Sequence, residues 1–192
     1  MAADDTLRVA QVVCRHLGEL RVPHFITGSL ASSVHGVPRA THDADLIALL
    51  DERHVNPLAE RLEGDFHFDE DRLRLAIRTK RSCNVIHLPT MTKVDLYVAD
   101  SSRRSVEAFA RVCWIEIGDF TFPVSSAEES ILSKLQWYRD GGEQSDQQWR
   151  DIQGILTVSG SRLDFAFLER WTSTLGLRDL WDRALRAGRL GR

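Results

Sequence analysis

Apolar residues recur at helical spacing through DTLRVAQVVCRHLGEL, where Leu7, Ala10, Cys14, Leu17 and Leu20 form a stripe behind the candidate caps Asp5 and Thr6. A short strand, HFITG, follows, and then a small-residue helix from Ser29 to His35 that Gly36 and Pro38 close. DADLIALL reads as a second strand, HVNPLAERLEG as a helix ending at Gly64, and EDRLRLAIRTK as another helix. CNVIHL and KVDLYVA alternate as strands joined by the turn-like PTMT, which predicts a hairpin. SRRSVEAFARV is helical, and CWIEIG and FTFPV are two short strands around Gly118-Asp119. From Ser126 the period changes: AEESILSKLQWYRD, SDQQWRDIQGILTV, DFAFLERWTST and LRDLWDRALRA are all helical, separated by GG, SGS and LG breaks.

This order predicts an α/β (α+β) core over 1–124, built on a mixed sheet flanked by helices, and a helical segment over 125–192 packed on it. Early alternation of strands and helices favours some parallel pairing. The 192 residues and 43% hydrophobic content suit one compact domain with a helical appendage. A net charge of -3 argues against a nucleic-acid binder that relies on bulk attraction. No apolar run is long enough to cross a bilayer, and MAADDTLRVA carries acids where a secretory signal needs basic residues. Cys14, Cys83 and Cys113 are odd in number and without CxxC spacing, which fits reduced thiols in a cytoplasmic protein rather than a zinc site.

Three aspartates interrupt this pattern. Residues two apart in a strand point the same way, so Asp43 and Asp45 share a face with Ile47 and Leu49, while Ala44, Leu46, Ala48 and Leu50 form the other. Apolar residues on both faces predict a central strand covered on both sides. Asp is depleted in strands, and neighbouring carboxylates repel unless a cation lies between them. A hard divalent ion meets that need, and magnesium is the usual one where phosphates are substrates. In KVDLYVA, Asp95 leads a face with Tyr97 and Ala99. If that strand lies beside DADLI, three carboxylates converge, enough to ligate two metal ions.

Gly28-Ser29 supplies a second element. A strand ending in glycine at a helix start presents free backbone N–H groups to an anion. There Gly28 permits close approach of a phosphate, and Ser29 caps the helix or donates its hydroxyl.

Gly-Ser, a helix, Asp43-x-Asp45 and a later Asp95 together resemble the DNA polymerase beta-like nucleotidyltransferase superfamily, in its small bacterial branch, some of whose members are toxins of toxin–antitoxin or phage-defence pairs. HGVPRATHDADL and SSAEESILSKLQWYRDGGEQSDQQWRDIQGIL are similar to segments of that branch, so the resemblance covers roughly Phe25 to Leu156. It implies that Asp43 and Asp45 are magnesium ligands, that Asp95 is a ligand and general base, and that Gly28 and Ser29 contact a nucleoside triphosphate. The implied reaction moves a nucleoside monophosphate onto a hydroxyl of an acceptor (a tRNA, a protein or a small molecule) with release of pyrophosphate.

Other positions have two readings each. Arg39 and Thr41 either steer phosphates or pin the loop onto the strand. Lys134, beside Ile131, Leu135 and Tyr138, either reaches a phosphate or lies on a solvated helix face. Arg150 and Asp151 read as fixing helix packing by an ion pair, and Trp137, Trp149, Trp171 and Trp181 as core, one of them able to stack on a base. Two further readings stand beside this one: a non-catalytic nucleotide- or partner-binding module of the same fold, and the toxin of a two-gene defence pair, which shares the chemistry and differs in its target.

Overall fold

The structure is a computed structural model and describes residues 2–190. Its residues group into two units. One takes the N-terminal stretch through Thr27 together with Ala40–Ser125; the other takes Gly28–Arg39 together with the stretch from Ser126 onward.

Among the described residues, the first unit holds a seven-stranded mixed sheet. Its strands are β1 (His24–Thr27), β2 (Asp43–Ala48), β3 (Phe66–Phe68), β4 (Ser82–His87), β5 (Thr92–Val98), β6 (Cys113–Ile117) and β7 (Phe120–Val124), ordered β3-β4-β5-β2-β1-β7-β6. β2 and β5 run parallel, as do β1 and β7; β1 with β2, β4 with β5, and β6 with β7 are antiparallel. The mixed α/β architecture and the β4–β5 hairpin are those expected from the patterning. β3 is an addition, a three-residue strand on the sheet edge, too short to register as alternation.

Helix α1 (Ala2–Glu19) packs on β1, β2, β5 and β7 through Val9, Ala10, Val13 and Leu17, all at or near zero exposure. It begins ahead of Asp5 and Thr6, so neither caps it. Thr6 is instead buried, and its hydroxyl donates to the Thr41 carbonyl at 3.4 Å. Ala44, Leu46, Ala48, Val94 and Leu96 point to this sealed face of the sheet.

The opposite face departs from expectation. Asp43, Asp45 and Ile47 are only half-buried, so β2 is central but not equally covered on both sides. Carboxylates resist desolvation, and a face that carries them stays partly open. Farther along it, Phe25 of β1 is sealed by Phe109 of the next sheet-flanking helix, Arg103–Ala110, at 4.9 Å between ring centroids.

With the intervening helices numbered in chain order, the sheet unit also contains α3 (Val55–Leu62), α4 (Glu70–Thr79) and α5 (Arg103–Ala110). The second unit contains α2 (Gly28–His35), α6 (Ala127–Asp140), α7 (Asp146–Ser159), α8 (Phe165–Thr174) and α9 (Arg178–Leu190). Side-chain caps fix the starts of several: Ser126 accepts from the Glu129 N–H, Ser145 from Gln148 and Asp164 from Phe167. Ile131, Leu135, Ile152, Ile155, Leu168, Trp171 and Trp181 build the helical core. Trp149 packs at its margin, whereas Trp137 is 55% exposed and lies outside it.

Candidate active site

Parallel pairing of β2 with β5 sets Asp45 opposite Asp95 and Asp43 opposite Lys93. Register partners on adjacent strands share a face and lie about 5 Å apart. Asp43, Asp45 and Asp95 therefore occupy one patch of the partly open face. The antiparallel hairpin adds Asn84 opposite Asp95, and β1 adds Thr27 opposite Asp45.

Asp43 and Asp95 are held in place by named partners. Thr41 is buried, and its hydroxyl donates to Asp43 Oδ1 at 2.9 Å, so this residue pins the segment entering β2. Asn84 Nδ2 donates to Asp95 Oδ1 at 2.7 Å, while Lys93 Nζ lies 2.8 Å from Asp95 Oδ2 and 4.0 Å from Asp43 Oδ2. The hydrogen bond to Asp95 is the chief cause that raises the Lys93 pKa, with the charges of Asp95, Asp43 and Asp45 adding to it. Tyr97, two residues beyond Asp95 on the same face, is pushed up to about 12, first by burial and then by the charges of Asp45, Asp95 and Asp43. One patch of negative potential thus acts on both neighbours.

Lys93 and Asn84 escaped the sequence reading. The signal for Lys93 was present, since Lys-Val-Asp places it on the Asp95 face by simple alternation. Asn84 could be found only from hairpin register.

As metal ligands the three acids fit in kind, being hard oxygen donors on one face with a cation already drawn to them. Among the described residues, no three His, Cys, Asp or Glu side chains stand as a ready-made coordination sphere. Side-chain rotation about fixed strand positions is what loading would require.

The helical unit contains the other predicted residues. Gly28 has φ +63°, the left-handed region that favours glycine, and it opens α2. Ser29 Oγ accepts a short hydrogen bond from Arg39 Nη2. The same guanidinium grips Asp151 with both arms, Nε to Oδ1 at 3.1 Å and Nη2 to Oδ2 at 3.2 Å. Lys134 Nζ reaches Asp151 Oδ2 at 2.8 Å, and Gln147 Nε2 donates to Oδ1 at 2.8 Å.

Lys134 and Asp151 have side chains only 6% exposed, so Lys134 does not lie on a solvated face. Burial works to raise the Asp151 pKa, but the hydrogen bonds from Arg39 and Lys134 prevail and hold it below its ordinary value. Two cations, Arg39 and Lys134, share the Asp151 carboxylate here. Asp151 is thus a structural counter-ion, in line with its packing role. Arg150, by contrast, is exposed and donates to the Asp146 carbonyl of its own helix, so the ion pairs expected at this point are made to Asp151 by Arg39 and Lys134 instead.

No protein-family model and no curated protein matches this chain. Solved structures do. An antigenic nucleotidyltransferase-like protein from Paracoccidioides brasiliensis is similar at 18% identity, covering 96% of this chain and 94% of that one, with a TM-score of 0.58. ANT(2'')-Ia in complex with adenylyl-2''-tobramycin is similar at 16% identity, covering 93% and 99%, with a TM-score of 0.57. The solution structure of the same antibiotic-resistance factor matches at 15% identity over 97% and 96%, with a TM-score of 0.55. The chain therefore has the nucleotidyltransferase-like fold over nearly its whole length. No helix among the described residues is long and apolar enough to cross a membrane.

Proposed function

We propose that this chain is a magnesium-dependent nucleotidyltransferase that moves a nucleoside monophosphate from a nucleoside triphosphate to a hydroxyl of an acceptor. The observation that carries this reading is the register of Asp45 with Asp95, with Asp43 on the same face, in a chain of this fold. Asp43, Asp45 and Asp95 hold the magnesium, two ions in the nucleotide-loaded enzyme. The bound metal neutralises triphosphate charge and stabilises the pyrophosphate leaving group.

The protein's own residues do the rest. Asp95 takes the proton of the acceptor hydroxyl; that oxygen bonds to the α-phosphorus as the bond to the β-phosphate bridging oxygen breaks and pyrophosphate departs. Each Asp95 oxygen keeps a lone pair beyond those occupied by Asn84 and Lys93, so the role of base is open to it. Asn84 and Thr41 fix the carboxylates, which limits reorganisation during transfer. The Gly28 backbone and Ser29 hydroxyl bind the triphosphate. The Arg39 guanidinium, which donates to Ser29 Oγ, supports anion binding there. In the chain, Gly28 follows directly on Thr27, the register partner of Asp45.

An RNA, a protein or a small molecule can offer the acceptor hydroxyl. One protein of this fold is seen with adenylyl-2''-tobramycin, which supports small-molecule hydroxyls within that set. The test is transfer of α-phosphate radiolabel from each nucleoside triphosphate into fractionated extract, comparing wild type with the double variant Asp43→Ala, Asp45→Ala. Labelling by wild type alone supports the reading; equal labelling by both ends it.

A further inference from the structure

The acid patch contains a cation of its own. Lys93 is the register partner of Asp43, and its Nζ contacts Asp95 Oδ2 at 2.8 Å while remaining within 4.0 Å of Asp43 Oδ2. This arrangement follows from backbone geometry rather than from a wandering surface side chain. Alternation puts Lys93 and Asp95 on the same face of one strand, and parallel register sets Asp43 directly across. The Lys93 side chain is 41% exposed and Asp95 only 15%, so the ammonium covers the acid from the open side.

Charge balance limits what else can enter. Three carboxylates carry three negative charges; the Lys93 ammonium and one divalent ion neutralise them, whereas a second ion would leave a surplus of two positive charges. Opposite charges beside a partly desolvated patch lower the free energy, and a surplus of like charge raises it. A triphosphate, with its own negative charge, would remove that objection, so the limit applies to the nucleotide-free chain.

We propose that Lys93 serves as a resident counter-ion of the acid patch, so that the nucleotide-free chain takes one divalent ion rather than two and binds it more weakly than the acids alone would. The inference rests on the metal-site reading given above. Lys93 is accordingly a positioning residue that sets how many ions the protein carries before nucleotide arrives.

The experiment is a titration of nucleotide-free protein with Mn2+, with free ion read by electron paramagnetic resonance, on wild type, Lys93→Met and Lys93→Arg. Expected are one ion per wild-type chain and the same count in Lys93→Arg. In Lys93→Met the first ion should bind at least about tenfold more tightly, because one repelling charge is gone, and a second ion should become countable. Far-UV circular dichroism and melting temperature establish that each variant is folded. If Lys93→Met does not fold, Lys93→Gln, which also removes the charge, takes its place in the comparison. Two ions in the wild type, or an unchanged affinity in a folded Lys93→Met, overturns the role of Lys93 and leaves the metal site standing. No Mn2+ binding by wild type or either variant overturns both.

Discussion

Asp45 and Asp95 are direct register partners on neighbouring parallel strands, and their charges both act on Tyr97. Like charges so placed weigh against the folded state, and their retention in the fold points to a use outside stability. Asp45→Asn removes one of them at nearly constant volume. We expect nucleotidyl transfer to fall by about 100-fold or more, while the melting temperature stays level or rises. Pyrophosphate release and a thermal melt on the same preparations check both halves. A fall in melting temperature accompanied by intact transfer would make Asp45 a structural residue.

Asp151 predicts the opposite signature. It holds Arg39 and Lys134 at once, and Lys134 is nearly sealed from water. Asp151→Asn strands a buried ammonium without its counter-charge. Removing one member of such a pair destabilises by about 3–5 kcal/mol, which chemical denaturation should measure. Lys134→Met is expected to be far milder, since it removes the buried charge together with its desolvation demand. If Asp151→Asn proved as stable as wild type, the pairing would have to be slack in solution.

What the sequence discloses and what it withholds divide along a physical line. An apolar run reveals β2, alternation reveals β4 and β5, and a 3.6-residue stripe reveals α1 and α6, because each signal extends within its own element. β3 spans only Phe66 to Phe68 and offers no repeat. Sideways relationships are absent from local pattern: that Asn84 meets Asp95 depends on hairpin register, and that Lys134 meets Asp151 depends on how two helices pack. The acids themselves were visible because a carboxylate in a strand contradicts its surroundings. Lys93 was overlooked because a lysine at a strand start does not.

The packing of α2 in the helical unit supplies a backbone prediction. Gly36 closes α2, and a Cβ built on it would lie 2.8 Å from the Ile155 nitrogen and 2.9 Å from the Gly154 carbonyl carbon of α7. These are main-chain atoms in a helix and cannot swing aside. Gly36→Ala should force the two segments apart and destabilise by about 1–3 kcal/mol. Gly160→Ala, at a position with open space around the Cβ, is the control and should lie within about 0.5 kcal/mol of wild type. Paired urea melts distinguish them; equal stability of the two variants would refute the close approach.

His24 makes stability depend on pH. Burial lowers its pKa below the ordinary 6.5, only partly offset by the hydrogen bond of Nδ1 with the Val22 carbonyl at 2.8 Å. In the folded chain the ring therefore stays neutral at pH values where the unfolded chain already binds a proton. Unfolding takes up a proton across that window, so stability falls as pH drops below 6.5 and stops falling from this source once pH passes below the folded value. The slope contributed by one such ring is at most about 1.4 kcal/mol per pH unit. In His24→Gln, which keeps a donor for Val22 but does not titrate, the slope just below pH 6.5 should flatten by an amount within that limit. Urea melts at closely spaced pH values on the two proteins measure the difference, and superimposable profiles would show that His24 titrates alike in the folded and unfolded chains.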